Sequence, residues 1–470
     1  MKDQLPTQPR NDAKELWRQD KDHFIHPFTH FPSFEKDGAL VISEGRGAYV
    51  FDADGKRYLD GIAGLWCVNI GHGNPEIAYA MAEQARQLSF FNTFVDTTTP
   101  PAAQLAAKLA DLAPTHLNRI FFDTGGSASN DTTVRTIHFY FNKLGMPEKK
   151  KFISRIDAYH GSSYVSMALT GKLEDHEGFH MPEDLVHYVS CPNPYRRPTG
   201  MAVDEYCDQL IDELEAKILE LGPENVAAFF AEPILGAGGV IVPPPGYHRR
   251  TQEVCRRYGV LYVSDEVVTA FGRLGHMFAS EPMFDLSPDV IISAKGLTSG
   301  YVPLSASLFS DQIYEVISRP ESGPEWFNHG FTYSGHPVCC AAALKNIEII
   351  ERDRICEHVQ EVGPYFEKRL AQLESVPLVG DVRGSHFMLC VENVANKQTK
   401  ELLPEEVDVG KRISDHCEKR GLIVRPIGHL NVISPPLTLT RDEIDELVEI
   451  LKASIEATAD DLVREGVRID

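Results

Sequence analysis

Two short apolar runs end on residues able to do acid–base and carbonyl chemistry. The run over residues 260–267 delivers a carboxylate pair, Asp265 and Glu266, at its C-terminal end; the run over 289–296 delivers one lysine, Lys295. Between them lies the turn Phe271-Gly272-Arg273-Leu274-Gly275. Runs this rich in Val and Ile read as buried strands. In an open α/β sheet, ligands sit beyond the carboxyl ends of the strands, so an acid and an amine are expected to meet in one crevice. A lysine amine can form a Schiff base with a carbonyl cofactor, of which pyridoxal 5′-phosphate is the commonest. That cofactor needs its ring nitrogen kept protonated, a task for Asp265. Val267, two residues on, would point to the same side and pack on the ring. Taken singly, each charged residue has a plain reading as a solvated surface group, so the surrounding residues decide.

Several neighbouring stretches supply what such a site needs. A strand at 119–122 runs into Asp123-Thr-Gly-Gly-Ser127, and a helical pattern continues through Val134, Ile137, Phe141 and Leu144 to Gly145. Strand, glycine turn and helix make a cup for phosphate: free backbone N–H groups and the positive helix end face the anion. Gly125, Gly126 and Ser127 would form it, although the same three residues also suit an ordinary turn. Tyr159 follows a strand at 152–155, where it could stack on a cofactor ring or simply pack half-buried. Glu232 ends the strand 226–231. Trp66, among glycines, reads equally as a pocket wall or a core indole.

The elements that position these groups alternate strand and helix from about 119 to 310, which argues for a mainly parallel, doubly wound sheet. Before it, 48–60 reads as a β-hairpin turning at Asp54-Gly55, and Asn74-Pro75 opens a helix with Ile77, Met81, Ala85 and Leu88 as its buried stripe. A further helix covers about 102–112. Residues 171–199 are irregular and read as an active-site loop, 296–305 as a turn-rich loop, and 338–351 as a helix leading out of the large domain. The aromatic residues up to about Phe34 read as an arm that docks on the body. The expected domains are 1–70 (N-terminal arm and part of a small domain), 71–338 (large cofactor domain) and 339–470 (C-terminal part of the small α+β domain).

Composition narrows the function. With 470 residues there is room for two domains. A net charge of −22 disfavours nucleic acid and anionic membranes as partners. No apolar run approaches the length of a membrane span, the N-terminus lacks an apolar signal core, and nine cysteines without a C-x-x-C suit reduced thiols rather than disulfides or a cysteine zinc site. A cytoplasmic enzyme without a metal is the expectation.

Taken in order, Gly64-Leu-Trp-Cys-Val-Asn, Phe122-Asp-Thr-Gly-Gly-Ser, Tyr159-His160-Gly161, Glu232-Pro233, Asp265-Glu266-Val267, Ser293-Ala-Lys295-Gly-Leu-Thr-Ser-Gly, His329-Gly-Phe-Thr-Tyr-Ser-Gly-His-Pro, Gly421-Leu-Ile-Val-Arg425-Pro and Ser434-Pro-Pro-Leu resemble the class III aminotransferases, pyridoxal-phosphate enzymes of fold type I. The resemblance covers about residues 20 to 460 and is strongest to the ω-amino acid and amine:pyruvate transaminases. It implies that Lys295 carries the cofactor and shuttles the proton, that Asp265 holds the ring nitrogen, and that Tyr159 stacks on the ring. It implies that Gly126 and Ser127 bind phosphate together with Thr332 of a second copy, so that a homodimer or tetramer shares its active sites. His160 and Glu232 fall among the cofactor-binding positions. Leu65, Trp66, Phe94 and Ala237 would line the substrate pocket. Arg425 would grip a substrate carboxylate and pair with Glu232 when none is bound. The implied reaction moves an amino group from an ω-amino acid or amine, such as β-alanine or a diamine, to pyruvate, giving alanine and an aldehyde or ketone. A taurine donor, another fold-type I chemistry such as a mutase, decarboxylase or racemase, and a non-catalytic cofactor-binding module are the rivals. The phosphate loop departs from the family's Ser-Gly-Ser-Glu-Ala-Asn: here it reads Gly125-Gly126-Ser127-Ala128-Ser129-Asn130, with Ala128 in place of the glutamate. Ala270 also stands where the pattern has glycine.

Overall fold

In the computed structural model, which describes residues 12–182, 184–319 and 326–469, fifteen strands fall into three sheets. The chain first forms β1 (Ile42–Arg46), β2 (Tyr49–Asp52) and β3 (Arg57–Asp60), antiparallel neighbours, with β2 and β3 joined at Asp54-Gly55 as the hairpin reading requires. The central sheet follows: β4 (Arg119–Asp123), β5 (Lys151–Arg155), β6 (Val186–Val189), β7 (Val226–Ala231), β8 (Leu261–Asp265), β9 (Val290–Ser293) and β10 (Ser305–Phe309), in the order β4-β10-β9-β8-β7-β5-β6. Strands β6, β5, β7, β8 and β9 run parallel, while β10 is antiparallel to both its neighbours. Last come β11 (Val379–Ser385), β12 (Met388–Asn393), β13 (Leu422–Ile423), β14 (Arg425–Ile427) and β15 (Leu430–Ile433). Of these, β11, β12, β15 and β14 make an antiparallel sheet, and β13 instead joins β3 in parallel.

The pattern of burial follows from this layering. Every residue of β7, Val-Ala-Ala-Phe-Phe-Ala, is buried, as expected of a strand covered by helices on both faces. Helices Gly126–Lys143, Val203–Leu221 and Tyr247–Arg257 are the crossovers. Helix Pro75–Gln87 starts where the sequence places it, its first turn capped by Asn74, whose side chain accepts from the N–H of Glu76. Ile77 is buried and Met81 packs against the core, but Ala85 and Leu88 are exposed, so the expected stripe covers only half of that helix. Helix Pro100–Leu112 begins two residues before the expected start, because Pro100 and Pro101 occupy its first turn.

One strand lies within an expected loop, and another begins on the last residue of the 296–305 loop. Residues 171–199 contain β6, an edge strand beside β5, and the loop after Lys295 leads into β10, whose register sets Ser305 against Asp123. Arg273, in the turn between the two chemical runs, is fully buried. Its guanidinium donates to Asn69 Oδ1 at 2.8 Å, to the carbonyl of Phe387 at 3.2 Å and to that of Pro435, tying the central sheet to segments on either side of it. Of the expected N-terminal arm, residues 1–11 lie outside the described residues. The helix Ala13–His23 buries none of its side chains within this chain. Among the described residues no helix is long and apolar enough to cross a membrane.

Candidate active site

The carboxyl ends of β4, β5, β7, β8 and β9 open on one cleft of about 620 Å³, within the size range of small-molecule sites. Asp265 comes from the last residue of β8, and Lys295 lies two residues past β9, so the acid and the amine do line the same crevice. Asp265 is held from three sides. Its Oδ2 takes hydrogen bonds from Asn130 Nδ2 at 3.1 Å and His160 Nδ1 at 2.8 Å, and its Oδ1 from the Val267 N–H at 3.1 Å. A carboxylate so buried and so oriented is ready to meet a protonated ring nitrogen. Asn130 was not singled out from the sequence; its signal is its place at the end of the loop Gly125–Asn130, where a helix first turn reaches back to β8.

Glu266 parts from Asp265. It is fully buried on the other side of β8, its oxygens accepting from the N–H groups of Ala279 and Ser280 and from the hydroxyls of Thr269 and Ser280. Consecutive residues of a strand face opposite ways, so the pair delivers one carboxylate to the cleft and one to the backbone of a following turn. Burial raises the pKa of Glu266.

Lys295 has φ +44°, a left-handed conformation that costs a side chain about 1–2 kcal/mol. Its Nζ makes no hydrogen bond or ion pair among the described residues and stands 5.1 Å from the centroid of the Trp66 ring. Burial lowers its pKa, against the opposing fields of Cys67, Asp265 and Glu232. Trp66 resolves both of its readings at once: it is buried in an apolar cluster and also forms a wall of the cleft. The Arg425 guanidinium lies 5.8 Å from the same ring.

Opposite, the helix Gly126–Lys143 presents its first turn to the cleft, with Gly125, Gly126 and Ser127 in the wall. The opening N–H groups of a helix lack intrahelical acceptors. A Cβ on Gly126 would come within 3.1 Å of Val267 Cγ2, and one on Gly161 within 2.4 Å of Ser127 Oγ, so both glycines let backbone close in where a side chain would fill the cup. Ser127 Oγ accepts from the Ser162 N–H at 3.1 Å. Tyr159, Val267, Leu65 and Ala237 all border the cleft, and the Tyr159 hydroxyl bonds Ser162 Oγ at 2.9 Å.

Two expectations change, the Glu232–Arg425 pair and the place of Phe94, while Thr332, expected to serve a second copy, lies outside the cleft of its own chain. Glu232 does not pair with Arg425. Its Oε1 takes the Tyr159 N–H at 3.0 Å and its Oε2 the Gly236 N–H at 2.8 Å, so it fixes the loop that carries Tyr159. Arg425 makes no hydrogen bond or ion pair among the described residues, and its Nε is buried without an acceptor. Phe94 and Thr332 lie outside the cleft of their own chain, both exposed, Phe94 to 46%; Phe94 packs instead near Gly330. The structure also adds residues the sequence did not single out: Phe28 of the arm, its ring 6.2 Å from that of Tyr159, and Asp175 from the 171–199 segment.

The family model for class III aminotransferases matches residues 33–455. The chain belongs to the class III aminotransferases. A putrescine–pyruvate aminotransferase of Pseudomonas aeruginosa is 42% identical over 440 residues, covering 93% of this chain and 95% of that one. The mitochondrial gamma-aminobutyrate transaminase 1 of Oryza sativa subsp. indica is 41% identical over 421 residues, 89% and 81% of the two chains. Among solved structures, the omega transaminase from Pseudomonas jessenii in complex with PMP superposes with a TM-score of 0.92 at 37% identity, covering 95% of this chain and 98% of that one. This class III aminotransferase therefore has the fold type I architecture and uses pyridoxal 5′-phosphate. The residues present fit that group: a lysine amine free of partners among the described residues, a carboxylate held by Asn130 and His160, and a glycine-lined helix start that a Cβ would obstruct.

Proposed function

We propose that this aminotransferase moves an amino group from an ω-amino acid or amine to pyruvate, releasing alanine and an aldehyde or ketone. The observation that carries this reading is Arg425: a guanidinium at the cleft, without an ion-pair partner among the described residues and with one nitrogen buried and unsatisfied. A fork of this kind matches a carboxylate in two points, as an α-keto acid presents. Its pKa is lowered by burial, against the fields of Tyr159 and Asp175.

The chain's residues divide the work as follows. Pyridoxal 5′-phosphate, when bound, supplies an aldehyde that condenses with amines and a ring that accepts the electrons of a broken C–H bond. Lys295 holds the cofactor in the absence of substrate and, once displaced, carries the proton between donor carbon and cofactor. Asp265 keeps the ring nitrogen protonated, and His160 and Asn130 keep Asp265 aimed. Tyr159 and Val267 would contact the ring, Glu232 steadies the Tyr159 loop, and Gly125, Gly126 and Ser127 would take the phosphate. Leu65, Trp66 and Ala237 shape the substrate end. Phe94 and Thr332 would serve the cleft of a second copy, in a cytoplasmic homodimer with shared sites; their exposure, with that of Phe24, Phe28, Phe31, Phe91 and Tyr333, supports a covering partner.

One observation favours a diamine among the donors. Asp175 lines the same cleft as Arg425, and its Oδ2 is buried with no hydrogen-bond partner. Burial raises its pKa, against the fields of Lys172, His176 and Arg425. A second ammonium on the donor would satisfy that oxygen, whereas a donor ending in a carboxylate or sulfonate would be repelled by it and drawn to Arg425. The cleft also adjoins a second cavity of about 570 Å³ that shares Lys172, Glu174, Ala237 and Ile427, leaving room for a long donor. Alanine formation from pyruvate with putrescine, β-alanine, gamma-aminobutyrate and taurine tests both points. Asp175→Asn is expected to raise the KM for putrescine about tenfold, the worth of one hydrogen bond to a charge, and to lower that for β-alanine, whose carboxylate it no longer repels. No alanine from any donor would remove the transaminase–pyruvate reading; equal KM changes for both donors would remove the role of Asp175.

A further inference from the structure

Behind the phosphate cup lies a closed chain of polar side chains that is one proton short. Asp123, the last residue of β4, is fully buried, as are Ser129, Thr132 and Ser305. Asp123 Oδ2 lies 3.1 Å from Ser129 Oγ, Ser129 Oγ lies 2.8 Å from Ser305 Oγ, and Ser305 Oγ lies 2.9 Å from the carbonyl oxygen of Gly125. Each contact needs a proton. The two serine hydroxyls supply two, and the Gly125 carbonyl can only accept. On the other side, Asp123 Oδ1 lies 2.9 Å from Thr132 Oγ1, which lies 2.8 Å from His329 Nε2. That branch closes by itself when neutral His329 donates to Thr132 and Thr132 donates to Oδ1.

We infer that Asp123 is a positioning residue that carries a proton in the working enzyme and donates it through Oδ2 to Ser129, so that the relay Ser129–Ser305 fixes the Gly125 carbonyl and with it the phosphate cup. The link to the cup is covalent geometry. Across a trans peptide the Gly125 carbonyl and the Gly126 N–H point in opposite directions, and both glycines border the cleft. The same carbonyl accepts the Ser129 backbone N–H at 3.1 Å, and the second hold from Ser305 on β10 steadies it there, with the N–H aimed outward, toward the anion. The relay also joins departures of this chain from the family loop: Ala128 replaces the glutamate, and Ser129, the central link, stands where the pattern has alanine. In this chain the carboxyl that ends the relay comes from β4.

The surroundings suit a neutral acid. No cation pairs with Asp123 among the described residues. Burial raises its pKa to about 7, with the hydroxyls of Thr132 and Ser129 opposing the rise and the charge of Asp131 adding to it. His329, reached through Thr132, is pushed down to about 4 by burial and by the charge of Arg135, so it brings no positive charge. A folded value above that of a free aspartate means that the stabilising contribution is complete below about pH 4 and is lost as pH rises through about 7. Ionisation breaks the relay and sets a negative charge beneath the phosphate.

This inference rests on the cup reading of Gly126 and Ser127, and the experiment separates the two. Apoprotein of the wild type, Asp123→Asn and Asp123→Leu is titrated with pyridoxal 5′-phosphate, and with pyridoxal lacking the phosphate, at about pH 6 and about pH 8.5, either side of the acid's titration. At the lower pH, Asn binds the phosphorylated cofactor within about threefold of wild type, because its amide donates where the acid did, and Leu binds about tenfold more weakly. Raising the pH weakens the wild type about tenfold relative to Asn; the titrations of Lys295 and of the cofactor are common to both and cancel in the ratio. Equal binding by Asn and Leu at the lower pH, or a wild-type-to-Asn ratio that does not move with pH, would overturn the inference. So would variants that weaken pyridoxal as much as its phosphate. If pyridoxal itself binds as tightly as its phosphate, the cup reading fails instead, and the inference with it. Should the Leu variant not fold, Ser305→Ala cuts the relay at its other end and is expected to weaken the cofactor likewise; unaltered binding there overturns it. The infrared spectrum of wild-type apoprotein gives a direct reading: a protonated-carboxyl stretch at the lower pH that Asp123→Asn abolishes. Its absence would also sink the assignment.

Discussion

Lys295→Ala abolishes alanine formation from pyruvate and amine donors, lowering the rate by at least ~10³-fold, while the protein folds as before. The size is that expected for removing both the covalent anchor and the group that carries the proton, since a positioned acid–base group alone contributes about 10²–10⁴-fold. The fold survives because Nζ has no hydrogen bond or ion pair to lose among the described residues, and because alanine inherits the same left-handed backbone at φ +44° at no new cost. Borohydride would trap cofactor on the wild type and not on the variant. The amine's lowered pKa also gives a pH dependence: burial disfavours the charged form, so apoprotein keeps its capacity to take up cofactor to lower pH than a solvated lysine would allow, and loses it as acid protonates the lysine. A variant forming alanine at near wild-type rate would end the assignment.

Arg425→Ala raises the KM for pyruvate about 10²-fold and changes that for a simple aldehyde acceptor by no more than about threefold. Hydrogen bonds to a charged partner are worth about 1.5–3 kcal/mol, and each 1.4 kcal/mol is about a factor of ten. The guanidinium here has been taken out of bulk water without receiving an acceptor for its Nε, so the enzyme alone bears a desolvation cost that a bound carboxylate relieves. An acceptor without a carboxylate never draws on that relief. Equal changes for both acceptors would show that Arg425 merely props the Trp66 wall.

How much of this was legible in the sequence depends on which physical rule each residue obeys. Asp265, Lys295, Gly126 and Tyr159 were readable because parallel strands deliver their C-terminal residues to one edge, and the apolar runs before them mark the strands. That Asp265 and not Glu266 meets the amine follows from the two-residue period of a strand, which turns neighbours to opposite faces. Strand β10, Ser-Ala-Ser-Leu-Phe, hides because two of its five residues are serines whose burial depends on partners such as Ser129 and Thr133. Strand β6 hides in a segment rich in His and Pro, held by pairing with β5 rather than by its own propensity. Phe94 and Thr332 were placed by resemblance to a site built from two chains, and one chain leaves both exposed. That the loop lacks the family's glutamate was visible directly, as Ala128. That a carboxyl reappears at Asp123 is a fact of three-dimensional register between β4 and β10.

The parallel pairing of β13 with β3 has a consequence for how the protein is made. A nascent chain emerges N-terminus first, and everything from β4 to β10 has left the ribosome long before Leu422. The cofactor side of the cleft can therefore assemble during synthesis. The substrate side cannot, because the hairpin that leads to Trp66 waits for β13, and Arg425 follows it at the start of β14. Until Leu422 and Arg425 have been made, the maturing enzyme has a place to hold its vitamin and no way to choose what reacts with it.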